Sequence, residues 1–218
     1  MNEILGAFQE KGLNPGSTIT LDGKIHRFKA DKSDTKNSGW YVGWQNHTQL
    51  GGEIFQVVVY GNYKEGVTHQ YQTEGRKYSA HDRKAIKEQI EKAKKAAEAQ
   101  REVSWREVAE DVRKMWDSFS EEGSSQYLTR KQIENFNGLN IRFDDKGNFY
   151  VPARDFDGKI WSFEKIQYDG TKRFHPGGRV QGCFHILGKL SGHRYYFAEG
   201  FSTSASIAIA TGEGVVCC

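Results

Sequence analysis

RYYFAEGFSTSASIAIATGEGVVCC, residues 194–218, carries the plan of one complete α/β element. Arg194–Ala198 reads as a short strand, Glu199-Gly200 as a tight turn, Ser202–Ala210 as a helix closed by Thr211-Gly212, and Gly214–Cys218 as a second buried strand. A strand, a helix and a strand in succession make a right-handed crossover, so the two strands are expected to run parallel. An acid followed by glycine at the carboxyl end of such a strand stands where open α/β sheets hold their ligands. Gly200 lets the backbone turn and a ligand approach, and the following helix start near Ser202-Thr203-Ser204 offers free N–H groups to an anion. Glu199 is therefore the first candidate for chemistry, a carboxylate suited to magnesium-assisted phosphoryl transfer. The competing reading is an exposed acid at a strand end, with Ser202 as a helix cap.

Upstream of this element, residues 123–193 read as a helix at Tyr127–Phe136 with a Thr129-led start, then strands at Ile141–Phe143, Phe149–Arg154, Ile160–Ile166 and Arg173–Phe174. Asp145-Lys146-Gly147-Asn148, Asp157-Gly158 and Asp169-Gly170 punctuate them as hairpins. Residues 80–122 differ sharply: the first 40 of them lack Gly and Pro and are rich in Ala, Glu, Lys and Gln. Ile86, Ile90, Ala93 and Ala97 form a narrow apolar stripe, whereas Trp105, Val108, Val112, Met115, Trp116 and Phe119 form a broad one. The reading is a charged connecting helix, water-facing through pairs such as Glu88 with Lys92, that leads into a helix that packs. Residues 1–79 show a helix at Glu3–Lys11 and β-like runs at Ser17–Phe28, Gly39–Trp44, Glu53–Tyr60 and Val67–Gln72, with turn signals at Asp22-Gly23, Asp31–Ser38 and Gly61-Asn62. The fold class expected is α+β, in three stretches: a small α+β region at 1–79, the charged helix at 80–122, and a β-rich core at 123–218 that ends in the first βαβ unit of a larger sheet.

Length and composition agree with a folded chain of one or two domains: 218 residues, 37% hydrophobic and 27% charged. No apolar run approaches a membrane span and the start lacks the layout of a secretion signal, so a cytoplasmic protein is expected, without membrane partners. Three cysteines, two of them adjacent, do not build a disulfide framework. The net charge of +3 is distributed as +1, −1 and +3 over the three stretches, so the basic surplus sits in the last. There Arg154, Lys159, Trp161, Lys165, Lys172, Arg173 and Arg179 interleave cations with aromatics, a composition suited to gripping phosphates while bases stack. Alternation on Lys159–Lys165 places Lys159, Trp161, Phe163 and Lys165 on one face. The plainer reading makes Trp161, Phe163 and Phe174 core and the charges its rim. The N-terminal aromatics Trp40, Tyr41, Trp44, Tyr60, Tyr63 and Tyr71, with His47 and His69, are read first as core of the small sheet and second as a binding surface.

His175, Cys183, His185 and His193 do not match an established zinc pattern, and Cys183 is better explained as a small buried residue, so no zinc is expected. No P-loop, G-x-G-x-x-G or G-x-S-x-G motif occurs, which excludes helicase ATPase, dinucleotide-binding and serine-hydrolase readings within these residues.

Ala198-Glu199-Gly200-Phe201-Ser202-Thr203-Ser204-Ala205-Ser206-Ile207, with Ala210-Thr211-Gly212 and Gly214-Val215-Val216, resembles the opening of the TOPRIM domain of phage and plasmid DNA primases. Further blocks are similar to that family: Tyr127-Leu128-Thr129-Arg130-Lys131, Val151-Pro152-Ala153-Arg154-Asp155, Asp157-Gly158-Lys159-Ile160-Trp161-Ser162, Lys172-Arg173-Phe174, Gly177-Gly178-Arg179 and Gly182-Cys183-Phe184-His185. In the first stretch Asp22–Phe28 and Gly39-Trp40-Tyr41 fit as well, and the likeness is weakest between residues 45 and 125. The resemblance implies a nucleotidyltransferase that joins ribonucleotides into RNA primers on single-stranded DNA during phage or plasmid replication, in places alongside a replicative helicase. It implies that Glu199, the catalytic candidate, shares magnesium with an Asp-x-Asp pair on a later strand. That pair is absent from these residues, so the metal site is expected to be incomplete and the chain to be an inactive N-terminal portion of a primase. Asp155-Phe156-Asp157 precedes Glu199 and leads into an Asp-Gly hairpin, and is read as a turn. The alternatives from other classes are a non-catalytic single-stranded nucleic-acid-binding or replication adaptor protein, and a TOPRIM nuclease.

Overall fold

Spacing and turn chemistry produce a mixed α+β protein, described by a computed structural model for residues 2–133, 138–190 and 194–218. In order the elements are α1 (Asn2–Glu10), β1 (His26–Phe28), β2 (Gly39–His47), β3 (Ile54–Asn62), β4 (Val67–Gln72), α2 (Ala80–Ser118), α3 (Gln126–Arg130), β5 (Arg142–Phe143), β6 (Phe149–Arg154), β7 (Ile160–Ile166), β8 (Lys172–Phe174), β9 (His185–Leu187), β10 (Tyr196–Ala198), α4 (Phe201–Thr211) and β11 (Val215–Cys217). The chain divides into two compact units, residues 1–102 and 103–218, and the division falls inside α2. Among the described residues no helix is long and apolar enough to cross a membrane.

The first unit is an antiparallel sheet in the order β1-β2-β3-β4. Period-2 alternation gives the sheet two apolar faces. Tyr41, Val58 and Tyr60 point to α1, where Ile4 and Phe8 close one core, and Phe8 stacks on Tyr60 with ring centroids 4.1 Å apart. Trp40, Val42 and Val59 point the other way, onto Ala93 and Ala97 of α2, while Phe55 and Val57 meet Ile86. The N-terminal aromatics Trp40, Tyr41 and Tyr60 are therefore core. Asp34 organises the loop before β2: it is buried, and its carboxylate accepts from the amides of Ala30 (2.9 Å), Lys36 (3.1 Å) and Ser38 (2.6 Å) and from the Ser38 hydroxyl. Burial acts to raise its pKa, and these donors outweigh burial and hold the carboxyl well below the usual range.

Two expectations fail here for identifiable reasons. The strand expected over Ser17–Phe28 is reduced to His26–Phe28, because Gly23 takes a left-handed φ of 73° and Asp22 turns its side chain onto the Lys24 amide. Gly61-Asn62 is not the hairpin turn but the end of β3; the turn falls at residues 63–66 with Gly66 at φ 67°. Gly61 is required for space, since a Cβ there would collide with the Val67 carbonyl oxygen and press on the Trp40 indole.

The second unit contains an antiparallel sheet β5-β6-β7-β8 and a smaller sheet in the order β10-β11-β9. One face of the larger sheet, with Phe149, Val151 and Ile166, meets Leu128, Leu187 and Phe201 and Ala205 of α4 in the largest apolar cluster. The opposite face, with Tyr150 and Phe163, is covered by Val112 and Trp116 of α2. The helix expected over Tyr127–Phe136 ends at Arg130, because Gln132 adopts φ 57°; it begins from Ser125 rather than Thr129, and residues 134–136 lie outside those described. Arg194 and Tyr195 precede β10 rather than belong to it, and Cys183 is half-buried before β9 rather than buried.

Candidate functional site

The βαβ element has the predicted topology. β10 and β11 pair in parallel with Tyr196 opposite Val215, Phe197 opposite Val216 and Ala198 opposite Cys217, and β9 adds antiparallel on the far side of β11. Glu199 follows the last residue of β10 and its side chain is exposed. Gly200, not Ser202, is the N-cap of α4, with φ −108° and ψ 139° and no side-chain cap. Ser202 lies inside the helix, where its carbonyl accepts the Ser206 hydroxyl, so the cap reading of Ser202 is corrected. A glycine cap leaves the first-turn N–H groups of α4 without a side-chain acceptor, next to the Glu199 carboxylate. Cys217 flanks this end of the sheet: its thiol donates to the Glu199 carbonyl oxygen at 3.6 Å, and burial raises its pKa.

The seven basic and aromatic candidates do not form one patch. Lys159, Trp161 and Arg179 converge: the Lys159 Nζ lies 3.9 Å from the Trp161 ring centroid and the Arg179 guanidinium 4.9 Å, with Arg179 also 5.7 Å from the Trp105 ring. Trp161 Nε1–H donates to Asp155 at 2.6 Å, and the residue is only 9% exposed, so its ring could stack on a base only if Lys159 or Arg179 gave way. Asp155 also accepts from the amides of Asp157 (3.1 Å) and Lys159 (2.9 Å), which makes Asp155–Gly158 the expected turn. Burial acts to raise the Asp155 pKa, and these hydrogen bonds with the charge of Arg179 lower it below the usual carboxylate range.

Arg154 sits at the end of β6, donates to the Gly158 carbonyl at 2.9 Å and lies 5.8 Å from the Trp116 ring; Arg142 lies 5.2 Å from the same ring. Burial, and then the like charge of Arg142, lower the Arg154 pKa. Cross-strand register sets Arg142 beside Tyr150, Tyr150 beside Lys165 and Lys165 beside Arg173, a row across the face that α2 covers. Lys165 is 3.7 Å from Asp144. Lys172 pairs with Ile166 and so points to the opposite face, near Tyr127. Its charge opposes burial at Glu164, and burial prevails in raising that carboxyl.

As site residues, sequence reasoning missed Arg142 of β5 and its partner Trp116 of α2, Trp105 of α2, which meets Arg179, and Phe156. Phe156 is 91% exposed at the hairpin tip and meets Phe184 at a centroid distance of 5.0 Å. Its signal was legible, since an Asp-x-Asp-Gly turn has no need of an aromatic. His185 is no ligand: it is buried and its Nε2–H donates to the Leu139 carbonyl at 2.7 Å. His193 lies outside the described residues. Among the described residues no group of three or more His, Cys, Asp or Glu side chains gathers to hold a metal ion. Glu199 offers one carboxylate where magnesium takes several oxygen ligands, so these residues do not by themselves fit the ion.

No protein-family model matches the chain, and no solved structure matches it. Two curated proteins from Escherichia coli, both named DNA primase TraC, are 31% identical to it, over 228 aligned positions covering 98% of the chain and over 214 covering 92%. The chain spans only 15% and 19% of the length of those relatives. Nearly all of this sequence is thus similar to one segment of proteins named DNA primase TraC.

Proposed function

We propose that the chain is a template-handling portion of a TOPRIM-type DNA primase, a nucleotidyltransferase that lays RNA primers from ribonucleotides on single-stranded DNA in plasmid or phage replication. The observation that carries this reading is the likeness to DNA primase TraC along 98% of the chain. The geometry supports it: Glu199 lies at the carboxyl end of a parallel pair beside an uncapped helix start, a position where a carboxylate and free N–H groups meet a phosphate. Exposed Arg173 and half-buried Lys165, at the β8 end of the cross-strand row, with the Lys159–Trp161–Arg179 cluster, are the proposed template contact. In this reading magnesium is held by Glu199 together with carboxylates from elsewhere in a longer protein, and a replicative helicase is a partner of that protein.

Glu199→Gln in a longer protein carrying this segment keeps size and hydrogen bonding and removes the charge. Primer synthesis on single-stranded DNA should fall by orders of magnitude while the melting temperature is unchanged, since the side chain is exposed. A variant that melts normally and primes at the parental rate would reduce Glu199 to a surface acid and favour a non-catalytic, nucleic-acid-binding role.

A further inference from the structure

The α2-facing side of the first sheet is apolar on its central strands and polar on its edge. Val57 and Val59 of β3 lie against α2. Their partners on β4 are Gln72 and Gln70, which share that face through the cross-strand register. α2 leaves these amides uncovered. A groove of about 320 Å³ runs between β4 and α2, with Ile86 and Ile90 in its floor and Arg83, Lys87 and Lys94 along its helical wall. Sealing the sheet would call for apolar residues at 70 and 72. Two amides set against three cations instead suit a polar, anionic guest.

The cations are available. Arg83 and Lys87 are exposed and belong to no ion pair among the described residues, and Lys94 meets Glu91, the one carboxylate lining the groove, only at 4.0 Å. Their spacing favours a linear guest over a compact one. Helical rise separates Arg83 from Lys87 by about 6 Å and Lys87 from Lys94 by about 10 Å along α2, and Gln70 and Gln72 stand about 7 Å apart on β4. Lys94 also lines an adjoining hollow with Thr68 and Val67, so the seam continues along the sheet edge. Glutamine amides both donate and accept, matching sugar and base edges, and no aromatic ring lines the groove, which leaves phosphate contacts as the main source of affinity.

We infer that the β4–α2 groove is a second contact surface for single-stranded DNA, in which Arg83, Lys87 and Lys94 hold phosphates and Gln70 and Gln72 hold sugars or base edges without sequence preference; this rests on the reading of the chain as a template-handling piece. An acidic peptide is the competing guest, and a linear run of cations with glutamine amides opposite, able to meet sugars and base edges, favours the nucleic acid.

The test uses the whole chain, fluorescent oligothymidylate and a salt titration. Three variants are compared with the parent: Arg83→Gln/Lys87→Gln/Lys94→Gln for the groove, Lys165→Ala/Arg173→Ala for the second unit, and the two combined. The groove variant should melt as the parent does, because its three side chains are exposed, bind about tenfold more weakly, and lower the slope of log affinity against log salt by about two, at roughly 0.7 per lost phosphate contact. Parental affinity and slope in the groove variant, with binding lost in the Lys165/Arg173 variant, overturn the groove alone. Absence of binding by the parent overturns the template reading and the groove with it. Loss of polyglutamate binding in the groove variant with oligothymidylate affinity intact assigns the groove to an acidic peptide and overturns the inference.

Discussion

His185 shows how a single side chain ties the second unit to pH. Burial, with the nearby charge of Arg154, lowers its pKa to about 4 against the pull of the Leu139 carbonyl. The folded protein therefore refuses a proton that the unfolded chain accepts from about pH 6.5 downward. Stability is fully present above pH 6.5, falls as the pH drops below it, and stops falling from this source near pH 4; the total is on the order of 3 kcal/mol. Urea midpoints measured at pH 7, 5.5 and 4.5 should decline in that order, and His185→Gln should flatten the decline. The role of this histidine was hidden in the sequence, where His185 stands two residues from Cys183 and invites a metal reading; the carbonyl that satisfies it comes from Leu139, 46 positions away. Glu199 was legible because strand, turn and helix are contiguous in its neighbourhood. Arg142 was not, because its place beside Trp116 depends on two elements that only tertiary packing brings together.

At the scale of elements, α2 is the most informative. Its two apolar stripes were readable from periodicity, and each faces the core it predicts: Ala93 and Ala97 in the first unit, Val112 and Trp116 in the second. Between Ala97 and Ala109 no residue is fully buried, so that stretch is held by its own helical hydrogen bonds and by partly exposed contacts, such as the Tyr63 hydroxyl on Gln100, Arg179 on the Trp105 ring and Val108 beside Val112. The charge pairs seen on the helix are weak, exposed ones such as Lys84 with Glu88 at 3.9 Å, where Glu88 with Lys92 was expected. Hydrogen–deuterium exchange should be fastest, within α2, at residues 98–107, and limited trypsin should cut first at Arg101 or Arg106. Uniform protection from Ala80 to Ser118 would contradict this account. Strand limits were less readable than the helix, since glycines such as Gly61 serve close packing in one place and turns in another, and sequence alone does not separate the two uses.

For the molecule as a whole, the α+β class and the parallel βαβ pair were set by local pattern and turn chemistry, whereas β9 was not read from the sequence, because three residues, His185–Leu187, are too short a run to show alternation. The position of the division between the compact units was not, because a continuous helix crosses it without a change in helix propensity. The smaller sheet of the second unit has one feature with consequences for handling. Among the described residues β10 is an edge strand, paired to β11 alone, and Phe197 on it is 70% exposed with Tyr195 and Ile209 also open to solvent. A row of unpaired backbone groups beside apolar side chains is a template for another copy of itself. Light scattering across a concentration series should show the apparent mass rising with protein concentration, and Phe197→Lys should suppress the rise; a constant mass would mean the edge is too short to recruit a neighbour. Colloidal behaviour, and with it the yield of soluble protein and the ease of growing ordered crystals, thus turns on three residues of strand.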